Sequence, residues 1–147
     1  MTPENYIAIQ EKDVAKTIAL IHDIILSEDK KVAPAVNFMM GNQMIIYNEG
    51  GTFRYALGKT KKYITLHLLP MYCEPSIREK YLKKLPDAQF QKGCINFENE
   101  NQMPPAVLIK LISDCAKVDL VALREKQLQK RKAKYKVTVG AASNNEI

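Results

Sequence analysis

The sequence predicts an α+β fold: an antiparallel sheet with N-terminal, middle and long C-terminal helices packed on one face. Three observations support this prediction. A helical pattern opens the chain, apolar and polar residues alternate with a period of two over residues 36–69, and helical patterns return around one short strand. Because only short turns separate the middle strands, they should run antiparallel. A chain of 147 residues, 46% of them hydrophobic, suffices for one domain with a real core.

The first two elements are predicted to be helices. A Thr-Pro-Glu start at residues 2–4 is typical of a helix beginning and predicts a short helical turn over residues 3–9. The main helix is predicted from residue 13 to about residue 27, because its isoleucines recur every three or four residues and share one face. Pro34 lies beyond its polar end and cannot continue it.

The middle of the chain is predicted to form strands joined by tight turns. Residues 44–48 and 52–57 alternate in polarity around a Gly-Gly pair, which predicts a hairpin. A further strand over residues 63–69 stops at Pro70, because proline cannot donate a hydrogen bond to a neighbouring strand. A helix over residues 74–85 and a short strand over 93–97 follow.

The last element is predicted to be one long helix. Pro104 lies in its first turn, and an apolar face continues to residue 118 before a basic stretch that remains helical to about Lys134. Such a helix would have about 30 residues and measure roughly 45 Å. That length exceeds the width of a domain of this size, so the basic end should project. The predicted organisation is an α+β domain at 1–118, a basic helical extension at 119–136 and a flexible tail at 137–147.

The net charge of the protein is concentrated in that extension. The chain carries 22 basic and 16 acidic side chains, a net charge of +6. Residues 117–136 alone hold eight basic and two acidic groups, so the rest of the chain is close to neutral. An anionic partner is therefore expected only through this segment. The candidate nucleic-acid contacts are Lys126, Lys130, Arg131, Lys132 and Lys134.

Strand alternation divides the sheet side chains into two sets. The predicted core set is Phe53, Leu57, Ile64, Leu66, Leu68, Ile95 and Phe97. The opposite set is Thr52, Arg54, Tyr63, Thr65, His67, Cys94 and Asn96, with Lys92 among the lysines at the strand ends. The second set is either an ordinary solvated face or a surface that binds a partner. In the second case, the candidate ligand-binding residues are Arg54, Tyr63, His67 and Lys92.

No catalytic residue is predicted. Cys94 and His67 are the one pair with the chemistry of a thiolate–imidazole couple, but no third residue that would orient the imidazole is evident. A buried, unreactive Cys94 is the simpler interpretation. The three cysteines lack C-x-x-C spacing, which favours reduced thiols in a cytoplasmic protein. The sequence also suggests neither a signal peptide nor a membrane span.

Three stretches resemble the YdhG-like family, small bacterial domains of largely unassigned function. The first is a lysine-flanked strand at 61–68, the second is F-x-K-G-C-I-x-F at 90–97, and the third is a proline-started helix over 103–112. The opening Asn-Tyr-Ile-Ala at 5–8 is also similar to the start of the family, so the resemblance covers roughly residues 3–116. The aromatic-glycine-x-proline segment that the family usually carries is replaced here by Asn-Phe-Met-Met-Gly-Asn at 37–42.

The resemblance implies a frataxin-like fold and a link to iron handling. Iron would need oxygen ligands, and the carboxylates of the first long helix would supply them, with Asp13 and Asp23 as the candidate metal ligands. Lysines interrupt these carboxylates, so a solvated helix face is the alternative interpretation. The expected cofactor is therefore unknown, with iron as the one candidate.

These observations lead to two functional hypotheses. The first is a non-enzymatic binding or chaperone-like module, monomeric or homodimeric, that takes a protein or small ligand on its open sheet face. In its iron-binding form this module would act as an iron chaperone. The second hypothesis is a nucleic-acid-associated protein that uses the basic C-terminal helix. Neither hypothesis involves a membrane.

Overall fold

The computed structural model describes residues 1–146, and it describes side chains for residues 1–133. The elements over this range, in chain order, are α1 (Pro3–Ala8), α2 (Lys12–Glu28), β1 (Ala33–Met39), β2 (Asn42–Glu49), β3 (Thr52–Lys59), β4 (Ile64–Leu68), α3 (Leu69–Cys73), α4 (Pro75–Leu82), β5 (Gln89–Phe90), β6 (Cys94–Phe97), α5 (Pro105–Ala116) and α6 (Leu120–Glu146).

The strands form one antiparallel sheet in the order β1-β2-β3-β4-β6-β5. Helices α2 and α5 pack against each other and bury their apolar faces in the same core as the sheet. Ile18 and Ile25 of α2 and Leu111 of α5 are fully buried there, together with Leu57 and Leu66 of the central strands. The predicted fold class is therefore confirmed.

The C-terminal region consists of two helices, so the prediction of one long helix is wrong. Helix α5 ends at Ala116 and α6 begins at Leu120. The Asp119 carboxylate accepts a hydrogen bond from the backbone N–H of Ala122 at 3.0 Å, which is the contact of a helix N-cap. The backbone of α6 is helical through the predicted tail as far as Glu146, whereas the tail side chains and residue 147 lie outside the described residues.

The sequence does not predict strand β5 or helix α3, and it predicts β1 only as part of the alternating stretch that begins at residue 36. Pro34 lies within the edge strand β1, where a missing N–H disturbs no ladder because one side of the strand has no neighbour. Strand β5 has only two residues, too few for a periodic pattern. Pro70 ends β4 by starting α3, in whose first turn its missing N–H costs nothing.

A β-bulge in β3 decides which side chains reach each face of the sheet. Tyr47 pairs with Tyr55, but its neighbour Asn48 pairs with Phe53, so Arg54 is an extra residue in β3. The extra residue inverts the alternation on one side of the bulge. Phe53 consequently lies on the open face and Arg54 points into the helix layer, the reverse of the prediction for both residues.

No helix in the described part of the chain is long and apolar enough to cross a lipid bilayer.

Candidate functional site

The uncovered face of the sheet carries a largely apolar depression of about 490 Å³ at one end. His67 of β4 and Cys94 of β6 are paired directly opposite each other in its floor. The bulge adds Phe53 to the same surface. The residues lining this depression are Met39, Met40, Phe53, His67, Leu69, Tyr72, Gln91, Lys92, Gly93 and Cys94.

Two further depressions adjoin the first, and all three share Tyr72. One of about 400 Å³ lies towards α6 and is lined by Phe53, Leu69, Leu120, Leu123 and Arg124, among others. The other, of about 420 Å³, lies towards α4 and is lined by Met71, Tyr72, Pro75, Arg78 and Lys92. Together they form one extended surface, called here the Tyr72 groove.

The position of Tyr72 follows from the local sequence of α3. Pro70 and Met71 are buried, which leaves the Tyr72 side chain directed outwards and 57% exposed. The ring lies against the start of β6, where a Cβ atom placed on Gly93 would come within 3.2 Å of the Tyr72 Cβ. Glycine at position 93 therefore lets the aromatic ring lie close to the strand backbone.

The turn between β1 and β2 forms one rim of the groove. Met40 and Gly41 are its two central residues, with φ angles of 53° and 81°. The left-handed region suits glycine and asparagine in such turns, whereas a methionine there costs about 1 kcal/mol. The Met40 side chain is 81% exposed and the nearby Phe38 is 71% exposed. An apolar residue in a strained and exposed position is typical of a functional surface rather than of a folding requirement.

The charges of the Tyr72 groove are all of one sign. Lys92, Arg78 and Arg124 contribute cations, and none of its lining residues is a carboxylate. Within the described side chains, none of these three cations forms an ion pair. The Nε atom of Arg78 donates to the Gln91 carbonyl at 3.0 Å, which fixes this guanidinium at the edge of the groove.

The proximity of Cys94 and His67 does not provide an activated nucleophile. Burial raises the pKa of the Cys94 thiol and lowers the pKa of the His67 imidazole. Both shifts favour the neutral thiol and neutral imidazole over the thiolate–imidazolium pair. The Cys94 Sγ atom donates instead to Gln91 Oε1 at 3.0 Å.

Arg54, a predicted ligand contact, lies on the opposite side of the sheet and is 0% exposed. Its Nε atom donates to Asp29 Oδ2 at 3.0 Å, and the Tyr55 hydroxyl donates to the same oxygen at 2.6 Å. The two terminal nitrogens of Arg54 donate to the carbonyls of Cys115 and Val118 at 2.9 and 3.1 Å. Arg54 is thus a buried cation that caps the C-terminal end of α5, and it does not bind a ligand on the open face.

The other predicted open-face contacts are divided between two locations. His67 and Lys92 line the Tyr72 groove, as residues of a common site should. Tyr63 does not line it, and its hydroxyl oxygen accepts a hydrogen bond from the Gln89 side chain at 3.0 Å. The structure therefore brings together two of the four candidate residues.

The two candidate metal ligands are far apart. Asp13 and Asp23 are both exposed on α2, and ten residues of helix separate them by about 15 Å. In the described part of the chain, no group of three or more His, Cys, Asp or Glu residues is placed to hold a metal ion. Asp13 and Asp23 therefore cannot share one ion in this structure, and iron binding stays a prediction.

The basic candidates lie on α6, and Lys126 among them lines a depression together with Glu74 and Ile77 of the domain body. Lys126, Lys130, Arg131 and Lys132 are exposed, and none of them forms an ion pair among the described side chains. The side chain of Lys134 lies outside the described residues.

Sequence reasoning missed the three residues that shape the groove most. Phe53 was assigned to the core because the bulge leaves no local signal in the alternation. Tyr72 was not considered because α3 was not predicted. The sequence does carry a signal that Met40 is unusual. Met-Gly stands between two strands at a position where Asn-Gly would form the turn without strain.

Comparisons with family models, with curated proteins and with solved structures yield no match to this chain.

Proposed function

We propose that this protein is a non-catalytic binding module that holds an apolar ligand in the Tyr72 groove. The observation that carries this proposal is the clustering of exposed apolar side chains on the uncovered sheet face. Of the residues that line this groove, Met40 and Tyr72 are the most exposed large apolar side chains, at 81% and 57%. Soluble domains rarely keep a contiguous apolar patch exposed unless it contacts a partner.

The polar residues around the groove support binding rather than catalysis. A ligand site is usually an apolar concavity with a few placed polar groups that fix orientation, and His67 and Lys92 fit that role. A nucleophile would need a lowered thiol pKa, whereas the pKa of Cys94 is raised by burial.

The proposal is tested by titration with the fluorescent probe anilinonaphthalene sulfonate, which combines aromatic rings with one anionic group. We expect saturable binding that Phe53→Ser weakens about tenfold, the effect of losing about 1.4 kcal/mol of apolar contact. Ile109→Ser is the matched control, because Ile109 is an exposed apolar residue of α5 away from the groove. Equal weakening by both variants, or by neither, would contradict the proposal, provided that both variants retain the native circular dichroism spectrum.

A second candidate function, nucleic-acid binding, is favoured by the exposed cations of α6. Phosphate contacts through these side chains would release counterions, so the affinity should fall steeply with salt. The test is retention of a single-stranded oligonucleotide in a mobility-shift assay. Charge reversal of Lys130 and Arg131 should abolish the shift, whereas reversal of Lys110 on α5 should not. A shift that survives the α6 reversal would rule out α6 as the contact.

A further inference from the structure

We propose that the occupant of the Tyr72 groove is an acidic segment of a partner protein in which carboxylates flank bulky apolar side chains. This inference rests on the proposed binding function and specifies the chemistry of the ligand. Two features of the molecule support it: the positive charge of the three adjoining depressions and the order of these depressions along the surface.

The cations lie on both sides of the apolar centre. Arg124 lines the depression towards α6, whereas Lys92 and Arg78 line the depression towards α4. Tyr72 lies between them, because it lines all three depressions, and Phe53 lines the first depression and the one towards α6. A matching ligand therefore has apolar side chains in its middle and negative charge at either end.

The absence of acidic lining distinguishes this groove from the other depressions described for residues 1–133. A depression beside the α5–α6 junction includes Glu74 and Asp119 among its lining residues. Another, at the start of α2, includes Asp13 and Glu100. Both therefore present carboxylates beside their lysines, whereas the Tyr72 groove presents cations without carboxylates. An acidic ligand is thus attracted specifically to the Tyr72 groove, where cations are present and carboxylates are not.

The apolar lining favours a peptide over a nucleic acid. Met39, Met40 and Leu69 offer flexible aliphatic contacts, and methionine in particular adapts to side chains of different shape. Surfaces that bind single-stranded nucleic acid instead present aromatic rings along a continuous basic groove. Here the Met and Leu side chains outnumber the two aromatic rings of Phe53 and Tyr72, and the described lining holds only three cations, Arg124, Lys92 and Arg78.

Selection from a phage-displayed library of random peptides on the immobilised full-length protein tests this inference. We expect the enriched peptides to combine aromatic or aliphatic residues with flanking Asp and Glu, and to be lost when Phe53→Ser is the bait. Enrichment of neutral or basic peptides would overturn the inference while leaving the proposed apolar binding intact. Failure of anilinonaphthalene sulfonate to bind would instead overturn the proposed function itself.

Charge reversal then assigns the contacts. For the best acidic peptide, we expect Lys92→Glu and Arg124→Glu each to weaken binding about tenfold or more at low salt. Lys110→Glu, an exposed cation of α5 outside the groove, is the matched control and should change the affinity less than about twofold. A lysine-substituted peptide should regain affinity for Lys92→Glu, which no general loss of structure would produce. Absence of this rescue, or equal effects of all three reversals, would overturn the assignment.

A competition experiment distinguishes an acidic peptide from a nucleic acid as the ligand of the groove. We expect a single-stranded oligothymidylate to leave the bound acidic peptide in place. If the oligothymidylate displaces the peptide at a lower concentration than unlabelled peptide does, the groove recognises phosphate-bearing chains. That result would contradict the inference.

Discussion

Arg54 is the residue on which three parts of the fold converge. Its guanidinium joins Asp29 at the end of α2 to the terminal carbonyls of α5, while its backbone belongs to the bulge of β3. Such a cation holds the helix layer at a fixed position over the sheet. Because both charges are buried, the loss of Arg54 leaves Asp29 with the Lys31 ammonium, 3.7 Å away, as its remaining cationic neighbour.

Arg54→Met should therefore lower the free energy of unfolding by about 3–5 kcal/mol, the usual effect of breaking a buried ion pair. Urea denaturation followed by circular dichroism measures this change. Lys30→Met is the control, since Lys30 is an exposed cation next to Asp29 and its loss should matter by less than about 0.5 kcal/mol. Similar losses in the two variants would show that the buried pair contributes no special stability.

His22 provides a prediction of pH dependence. Its Nδ1 atom and the Tyr47 hydroxyl lie 2.6 Å apart in the core, and burial lowers the pKa of His22 below the ordinary value of 6.5. The unfolded chain therefore takes up this proton at a higher pH than the folded chain does. Stability is fully present above pH 6.5 and declines as the pH falls towards the lowered folded value.

Replacing His22 with Asn should remove the part of this decline in stability that protonation of His22 causes. We expect the free energy of unfolding of His22→Asn to vary less between about pH 7 and about pH 5 than that of the unmodified protein. His67→Gln is the comparison variant, because it removes the other histidine whose pKa is lowered by burial. Denaturant titrations over this range provide the measurement, and an undiminished slope in His22→Asn would refute the prediction.

The alternation rule shows what could be known about single residues from the sequence. It correctly predicts that Leu57, Leu66 and Ile95 are buried, because these positions follow the regular period of two. It misplaced Phe53 and Arg54, which flank the point where β3 gains a residue. The hydrogen-bond partners of Arg54 lie 25 to 64 residues away in the chain, so no local pattern could reveal them.

At the scale of elements, the β1–β2 turn couples stability to binding. Met40→Asn should raise the free energy of unfolding by about 1 kcal/mol, because asparagine tolerates a positive φ angle better than methionine. The same substitution removes an apolar side chain from the rim of the groove and should weaken binding of anilinonaphthalene sulfonate. Thermal unfolding and probe titration measure the two effects.

Met40→Ala separates these contributions. Alanine lacks the long side chain but is no better suited to a φ angle of 53°, so binding should weaken without a gain in stability. A stability gain in Met40→Ala equal to that of Met40→Asn would show that the strain lies elsewhere.

The start of α6 is capped by Asp119. Asp119→Ala should lower the free energy of unfolding by about 1 kcal/mol and increase amide exchange in the first turn of α6. Hydrogen exchange measured by mass spectrometry detects the local effect. Asp119→Asn retains a capping oxygen and should behave like the unmodified protein; if it exchanges as fast as Asp119→Ala, the cap is not the cause.

At the scale of the whole molecule, the two candidate functions occupy separable parts of the chain. Among the described side chains, the Tyr72 groove has no lining residue beyond Gln127, whereas the basic candidates are centred on residues 126–134. A chain that ends at Gln127 should bind anilinonaphthalene sulfonate with unchanged affinity but lose any oligonucleotide shift. Equilibrium titration of both probes tests this prediction, and loss of dye binding by a folded truncated chain would contradict it.

The sequence was sufficient for the architecture but not for the site. Polarity patterns predicted the order of the main helices and strands, the antiparallel pairing and the coverage of one face. The α5–α6 break was missed because the apolar spacing of α5 continues to residue 118, although Asp119 is a local N-cap residue, and because Arg54, which caps α5, lies in a distant strand. Of the groove residues, His67 and Lys92 were anticipated, since their positions depended only on regular alternation and a strand end.

The added residue in β3 has a practical consequence for anyone who aligns other sequences to this one. A homologous chain whose β3 lacked the bulge would direct the phenylalanine to the interior and the arginine to the solvent. A gapless alignment across this strand would then transfer surface and interior assignments to the wrong positions. Deleting or inserting a single amino acid in β3 would exchange the side chains that face the solvent with those that face the interior, without altering the length of any loop.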